Sequence, residues 1–244
     1  MSTENGTVWS GEQDRPAMGL STVESTYDAL KDDIISGKRE PGELLRIDRM
    51  SRTYGIGPTP LRETLQRLTG EGLVLARGGR GFQVAPLTVE EFEDLNIARI
   101  AIEQAALRLS IEHASDEWEA SVVAAGYIIG KWDSQLLSGA SDDIDRWERA
   151  NADFHAAILS GCRSRWLLRT REALASKCER YRRAVIAKAG SAVHKEIARE
   201  HKELLEAVLE RDVERSCELL ATHYRRTPRA VTQILLVPEP AKGG

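Results

Sequence analysis

The sequence has few of the features expected of a secreted or membrane-embedded protein. Its three cysteines, Cys162, Cys178 and Cys217, are odd in number, lie far apart and include no CxxC pair, so neither a disulfide framework nor a zinc knuckle is indicated. No apolar run approaches the roughly 20 residues of a membrane span, and the polar start MSTENGTVWSGEQDRP lacks the apolar core of a signal peptide. We therefore expect packed, reduced thiols and a cytoplasmic protein without membrane contact.

Proline is missing from most of the chain, and this absence divides the sequence in two. All eight prolines lie at or before Pro86 or at or after Pro228, and the 141 residues between them hold only five glycines. Apolar residues three and four apart recur in that interval, which is typical of an all-helical domain. We predict a mainly α protein with a disordered tail at 1–20, a first domain at 21–87, an all-helical domain at 88–236 and a flexible tail at 237–244.

The first domain contains nine glycines and four prolines between residues 21 and 87, and its short segments have distinct patterns. TVESTYDALKDDIISG predicts a helix that ends at a glycine, and PGELLRI a turn and a short strand. Two short helices follow, IDRMSRTYGI and a second that opens at Gly57-Pro58, where proline suits a first turn because its missing N–H has no helical partner there. Leu61, Leu65 and Leu68 form one buried stripe on this second helix.

The segment GLVLARGGRGFQV comes next and has two apolar runs around a glycine-rich turn, which predicts a hairpin. Two short helices followed by a hairpin make a winged helix-turn-helix, whose second helix enters the major groove of DNA.

Charge supports DNA binding by this domain. Residues 44–82 hold seven arginines and three acidic residues, a net charge of 7 − 3 = +4, whereas the whole chain carries −4. A basic island in an acidic protein is the pattern expected for phosphate contacts. The alternative interpretation is an ordinary solvated charged surface.

The stretch from IISGKREPGELLRI to RGFQVAPL resembles the winged-helix domain of GntR-type transcriptional regulators. It carries their I-x-x-G helix end, P-G-x-x-L turn, T-P-x-R-E-x-L-x-x-L helix, E-G-L-V strand and R-G-x-x-V wing. The resemblance implies double-stranded operator DNA as a partner. The residues that it places at the DNA are Thr59 and Arg62 on the second helix and Gly79, Arg80 and Gly81 in the wing, with Arg49 and Arg52 as further candidates. Family members commonly have Ser-Arg in place of Gly57-Pro58, so the base contact that this arginine often makes is lost here.

The helical domain contains three histidines whose positions suggest a shared site. Asn151 and His155 are four apart in RWERANADFHAAIL and so lie on one helix face. His201 and His223 lie at nearly equal separations from a predicted turn at ERDVE, so a helical hairpin would bring them level, about 15 Å from the turn. Three imidazoles and an amide could hold a divalent metal with open positions. The alternative is three packed or hydrogen-bonded histidines.

NADFHAAI and EHKELLEAVLERDVERSCELLATH resemble the FCD-type effector domain of the FadR branch of these regulators, a bundle of six or seven helices, here the six-helix VanR-like type. The resemblance implies zinc, nickel or manganese bound by Asn151, His155, His201 and His223. The family usually has aspartate where this chain has Asn151. Asp153 cannot replace it, because at 100° per residue it points about 160° away from the face of His155.

NIARIAIEQAALRLS resembles the first helix of the same domain, in which an arginine faces the effector cavity. We expect Arg99 to bind an effector carboxylate, with Arg182 as a second candidate, because guanidinium binds carboxylate bidentately. The alternative role of Arg99 is an ion pair with Glu103, four residues on.

The whole pattern predicts a dimeric repressor that a small carboxylate releases from its operator. A metal-free acid sensor and a metal-dependent enzyme are the rival interpretations; no nucleophile motif supports the enzyme.

Overall fold

The computed structural model describes residues 23–78, 81–139, 143–186 and 190–235, with the backbone alone for residues 227–235. The predicted tails at 1–20 and 237–244 lie outside these ranges. The helices and strands in the described residues, in chain order, are α1 (Val23–Ile35), β1 (Leu44–Leu45), α2 (Ile47–Tyr54), α3 (Pro58–Gly70), β2 (Val74–Ala76), β3 (Phe82–Val84), α4 (Val89–Glu112), α5 (Asp116–Leu137), α6 (Ile144–Leu159), α7 (Arg165–Ile186), α8 (Ser191–Leu209) and α9 (Val213–Leu235).

The first three helices pack on a small sheet and form the predicted winged helix-turn-helix. The sheet has the order β1-β3-β2 and is antiparallel throughout. Leu44 pairs with Gln83 on one side, and Val74 pairs with Val84 on the other. The apolar faces of helices and sheet share one core, which includes Leu30 and Leu65. The β2–β3 hairpin is the wing.

The start of α3 confirms the role predicted for its prolines. Gly57 is the extended N-cap residue and Pro58 is the first helical residue. The first helical amide to find a partner is that of Leu61, which donates to the Gly57 carbonyl at 3.1 Å, so neither Pro58 nor Pro60 costs a hydrogen bond. Leu61, with Leu65 and Leu68, is fully buried, as the spacing predicted.

Six α-helices, α4 to α9, make the second domain within the described residues, with one turn of 3₁₀ helix after α6. The apolar faces of these helices form a single large core, in which Trp147 and Phe154 are almost fully buried. All three cysteines are free and buried. In the described part of the chain, no helix combines the length and apolarity that crossing a membrane requires.

The junction between the domains is held by α7. Arg180 donates from Nη2 to the carbonyl oxygen of Ala85 at 2.7 Å. The Tyr181 hydroxyl accepts from the Thr88 amide at 3.3 Å and donates to the Glu91 carboxylate at 2.7 Å, while its ring stacks on Phe92 with centroids 4.4 Å apart. Side chains of α7, which lies more than 75 residues further along the chain, therefore hold the segment that leads into α4 in place.

Candidate DNA interface and metal centre

The outer faces of α2 and α3 carry the predicted DNA contacts. Arg49, Arg52, Thr59 and Arg62 are all exposed. None of the ion pairs among the described residues involves these three arginines. Their guanidinium groups are therefore available for phosphate oxygens or base edges.

Two other arginines of the basic island are used inside the domain. Arg67 donates to the Glu24 carboxylate on α1 at 2.7 Å, and its guanidinium carbon lies 3.9 Å from the centroid of the Tyr27 ring. Arg77 donates to the Gln83 side chain across the wing at 2.6 Å. The arginines without an ion pair therefore occupy a smaller surface than the net charge of residues 44–82 suggested. That surface lies on α2 and the start of α3.

The wing residues can be placed only in part. Gly81 has φ +91°, a left-handed conformation that favours glycine. Gly79 and Arg80 lie outside the described residues, so their contacts with DNA stay a prediction.

The three predicted histidines meet in the middle of the bundle. His155 comes from α6, His201 from α8 and His223 from α9, and their ring centroids lie 5.0 to 5.8 Å apart. One ring nitrogen from each can be chosen so that all three lie within 4.8 Å of one another. All three side chains are buried. The level position that the α8–α9 hairpin predicted for His201 and His223 is confirmed.

Carboxylates orient two of the histidine rings. The Nδ1 atom of His201 lies 2.8 Å from the Asp133 carboxylate, whose other oxygen accepts from the Trp147 indole at 2.8 Å. The Nδ1 atom of His223 lies 2.8 Å from Glu200. A neutral imidazole facing a carboxylate carries its proton on the facing nitrogen. In the neutral form of each ring, the lone pair therefore resides on Nε2.

A tyrosine orients the third ring. The Tyr224 hydroxyl donates its single proton to Glu103 at 2.6 Å and accepts from Arg99 at 2.9 Å. Its remaining lone pair faces Nδ1 of His155 at 2.9 Å, which must then be the protonated nitrogen. All three histidines accordingly have their Nδ1 sides engaged, the arrangement by which outer-shell partners fix metal-ligating imidazoles.

Several buried atoms of this cluster that could ligate a metal have no hydrogen-bond partner among the described residues. They are Nε2 of His155, Nε2 of His201 and Oδ1 of Asn151. Burial, followed by the charges of neighbouring groups, holds the pKa of His155 well below its usual value, and burial also lowers the pKa of His223. Imidazole nitrogens with unused lone pairs, such as Nε2 of His155 and of His201, are the ligands that a transition-metal ion requires, so the residues fit a metal.

The other candidates for this centre lie elsewhere. Asp153 is exposed on α6, as its spacing predicted. His194 on α8 makes a 3.4 Å contact with the Ile186 carbonyl, and neither it nor His113 belongs to the group that could hold an ion.

Both predicted effector arginines are paired with acidic residues. Arg99 is buried; it donates to Glu103 at 2.7 Å and lies over the Tyr224 ring. Burial alone would lower the pKa of Arg99, but the Glu103 carboxylate raises it. Arg182 makes three contacts of 2.6 to 3.0 Å with the buried Glu148. The ion pair that was the alternative role for Arg99 is present, and effector binding by either arginine stays a prediction.

Sequence reasoning missed the residues that orient the imidazoles: Asp133, Glu200 and Tyr224. Glu200 and Tyr224 directly adjoin His201 and His223 in the chain, which was an available signal. Asp133 had none, because it lies 68 residues from the ring that it contacts.

A surface cleft lies beside one of the three histidines. It lies between α5 and α8, has a volume of about 240 Å³ and is lined in part by Asp133 and His201.

The fold and this centre define a class of protein: a winged helix-turn-helix domain joined to a helical bundle with a buried polar centre. Residues 22–84 match the gntR family of bacterial regulatory proteins, and residues 94–226 match the FCD domain. The chain belongs to the GntR family and carries an FCD domain. It is a transcriptional regulator and not an enzyme.

Curated relatives cover nearly the whole chain. It is 35% identical to the "Uncharacterized HTH-type transcriptional regulator BphR" of Paraburkholderia xenovorans (strain LB400), over 89% of this chain and 88% of that protein. It is also 35% identical to the "HTH-type transcriptional repressor GlaR" of Escherichia coli (strain K12), over 85% of this chain and 94% of that protein.

Among solved structures, E. coli McbR/YncC has the same fold, with a TM-score of 0.72 at 19% identity over 86% of this chain and 97% of that one.

Proposed function

We propose that this regulator is a dimeric repressor, released from its operator when a small carboxylate binds beside a metal ion in the helical domain. The observation that carries the proposal is the buried triad of His155, His201 and His223, with every Nδ1 atom engaged. The relative GlaR is named as a repressor, and we extend that role to this chain. We expect the protein to act in the cytoplasm, where its operator DNA lies.

The metal would be held by Asn151, His155, His201 and His223. We propose zinc, nickel or manganese, of which imidazole ligands suit zinc and nickel best. When bound, the ion supplies a positive centre with an open position for an oxygen of the effector. The chain's own contribution is to keep the imidazoles neutral and to hold each ring in place.

A metal-free sensor is the second candidate, and Asn151 favours it. Three neutral imidazoles and an amide bring no negative charge to an ion, and the unpartnered Asn151 oxygen and histidine nitrogens could bond an acid directly. Metal analysis separates the two. We expect purified, reconstituted protein to bind up to one ion per chain and His201→Ala to bind none; background metal in the reconstituted parent would favour the metal-free sensor.

The DNA interface that we propose comprises Arg49, Arg52, Thr59 and Arg62, with Gly79, Arg80 and Gly81 in the wing. Its support is the exposure of the first four side chains and the family's DNA-binding domain at residues 22–84. We expect each dimer to bind a short pseudo-palindrome, with affinity that falls steeply as salt rises.

Dimerisation is supported by apolar side chains that the bundle leaves exposed. Tyr127 and Val123 lie one turn apart on α5, next to Ile128, and Tyr127 is 72% exposed. A second copy of the chain would cover this face. Light scattering should give twice the chain mass for the parent and a lower mass for Tyr127→Asp; a monomeric parent would contradict the dimer.

Release from DNA requires the bundle to reposition the winged domains. The contacts of α7 with the segment between the two domains could transmit such a movement. Arg180 and Tyr181 hold the segment between residues 85 and 91, and the same helix carries Arg182 to the bundle interior. In this proposal the effector, with Arg99 and Arg182 nearby, shifts α7 or α4. The two winged domains then no longer reach successive major grooves, about 34 Å apart.

A thermal-shift screen of small organic acids, with and without a chelator, would find the effector. Titration of that acid with and without operator DNA then tests the coupling, typically 1–3 kcal/mol. We expect operator to weaken acid binding, and the acid to weaken operator binding, by the same factor. Equal affinities in the two titrations would rule out this mechanism, and tighter binding with DNA would make the acid a co-repressor.

A further inference from the structure

Arg171 on α7 is a largely covered guanidinium whose partners lie at long distances. Its side chain is only 11% exposed, and its Nε atom lies 3.6 Å from the Glu103 carboxylate, beyond hydrogen-bond range. That Nε atom has no hydrogen-bond partner among the described residues. The hydrogen bond that Arg171 makes within the described part of the chain, from Nη2 to the Ala152 carbonyl, is long at 3.5 Å.

The charges around Arg171 do not balance. Glu103 is the carboxylate that faces both Arg99, at 2.7 Å, and Arg171, at 3.6 Å. Arg99 therefore already uses this carboxylate at hydrogen-bond distance. Buried charges in proteins are normally paired, so one guanidinium in this cluster lacks a counter-charge. Tyr224 does not supply it, because burial raises the pKa of its hydroxyl well above the usual value.

Arg171 is connected to the three histidines through two of its neighbours. Ala152, whose carbonyl it contacts, follows Asn151 in the chain. Glu103, its nearest acid, accepts from the same Tyr224 hydroxyl that faces His155. The unpartnered atoms of Asn151 and His155 therefore belong to the same buried polar cluster as the unpartnered arginine.

We propose that Arg171 is the residue that anchors the effector, by binding its carboxylate while the histidine centre takes a second oxygen of the same molecule. This inference rests on the proposed function and names both a residue and a ligand class: a small acid with a carboxylate and a second carboxylate or hydroxyl group. Guanidinium binds carboxylate through two parallel N–H donors. The effector supplies the negative charge that the cluster lacks.

The test uses the full-length protein loaded with cobalt(II), whose visible spectrum reports the ligands of the ion. Acetate, succinate and malate are the probes, and binding is measured by the spectrum and by the thermal midpoint. We expect malate or succinate to bind the parent more tightly than acetate. Arg171→Gln should weaken that binding by about 10- to 100-fold, the loss expected for a hydrogen bond to a charged group, and leave cobalt affinity unchanged.

Arg169→Gln is the matched control, because Arg169 is exposed on the same helix; it should bind the acids as the parent does. Arg171→Lys keeps the charge without the planar fork and should fall between the parent and Arg171→Gln. It also replaces Arg171→Gln if that variant does not fold. Equal acid affinity in the parent and the Arg171 variants, or equal loss in the Arg169 control, would overturn the proposal.

Two further outcomes separate this inference from the proposed function. If cobalt does not bind but an acid still raises the thermal midpoint in an Arg171-dependent way, the anchor stands and the metal is wrong. If none of the three acids changes the spectrum or the midpoint of the parent, the ligand class is wrong and the inference fails, whatever the protein does on DNA.

Discussion

The two domains differ in where they place their polar side chains: the winged domain exposes most of them, and the helical bundle buries many. Among the described residues of the winged domain, the buried polar side chains are Thr26 and Thr64, and the arginines of α2 and the start of α3 face solvent. The bundle buries a large set of polar and charged groups. They are Asn96, Arg99, Glu103, Ser110, Asp133, Glu148, Asn151, His155, Arg180, Glu200, His201, Ser216 and His223.

This difference shows where each domain can bind. An exposed arginine without an ion pair remains hydrated and available to DNA, and its charge costs the fold little. A buried charged group destabilises the fold unless it is paired, and buried ionisable groups cluster at functional sites. The winged domain thus exposes its arginines at the surface, whereas the bundle places charged groups of its own around an internal site.

The largest expected effect comes from removing the central carboxylate of the bundle. Glu103→Gln keeps the shape and the hydrogen bond with Tyr224 but leaves Arg99 and Arg171 without a counter-charge. We expect a loss of about 3–5 kcal/mol in the free energy of unfolding, measured by urea denaturation of metal-free protein. Glu214→Gln is the control, because Glu214 pairs with Arg108 at the surface. If both variants unfold alike, burial does not set the cost of these charges.

The next effect concerns DNA. Arg62→Ala should lose about 1–3 kcal/mol of operator binding if Arg62 contacts a base, without loss of stability. Arg67→Ala, on the same helix, should retain most of the affinity because Arg67 is engaged by Glu24 and Tyr27. Fluorescence anisotropy with labelled operator at several salt concentrations would measure both. Parent-like binding by Arg62→Ala, or binding insensitive to salt, would contradict the assigned interface.

A smaller effect is expected from Asn151→Asp. A carboxylate near the divalent ion adds an attraction of about 8 kcal/mol at 4 Å for an effective dielectric constant of 20, and burial of the new charge offsets much of it. Metal affinity should therefore rise by about 1 kcal/mol or more, as determined by competition with a chelator. Asp153→Asn, on the exposed face of the same helix, should have no effect. Unchanged affinity in Asn151→Asp would remove Asn151 from the ligand set.

The smallest effect is expected at the surface of the winged domain. Glu24→Gln removes the partner of Arg67, but both side chains are largely exposed, at 66% and 41%, and exposed pairs contribute little. The thermal midpoint should stay close to that of the parent, and operator affinity should not fall, because Arg67 gains freedom to contact phosphate. A large drop in the midpoint would show that this pair fixes α3 on α1.

Much of the fold could be predicted from local patterns. The glycine and prolines at residues 55–60 marked the turn and the start of α3, the leucine spacing identified its buried face, and the glycine-rich turn marked the wing. The spacing of His201 and His223 about a helical turn predicted their meeting. In each case residues close in sequence carry the signal, because helix and strand periodicity repeats within a few residues.

The remaining features depend on contacts between distant segments. Asp133 and His201 are 68 residues apart, and Arg180 and Ala85 are 95 apart; no local pattern records either contact. Arg99 and Arg182 were expected to bind an effector, but the packing of α4, α6 and α7 pairs each with a carboxylate at hydrogen-bond distance, whereas Arg171 shares Glu103 at 3.6 Å.

The sequence by itself determined the order of elements, the DNA-binding class and the histidine set, because periodicity, turn chemistry and residue type are local properties. Only the tertiary structure decided which charges are paired, which nitrogen of each histidine holds the proton and which helix grips the linker, because these depend on how distant helices pack around one buried, low-dielectric centre.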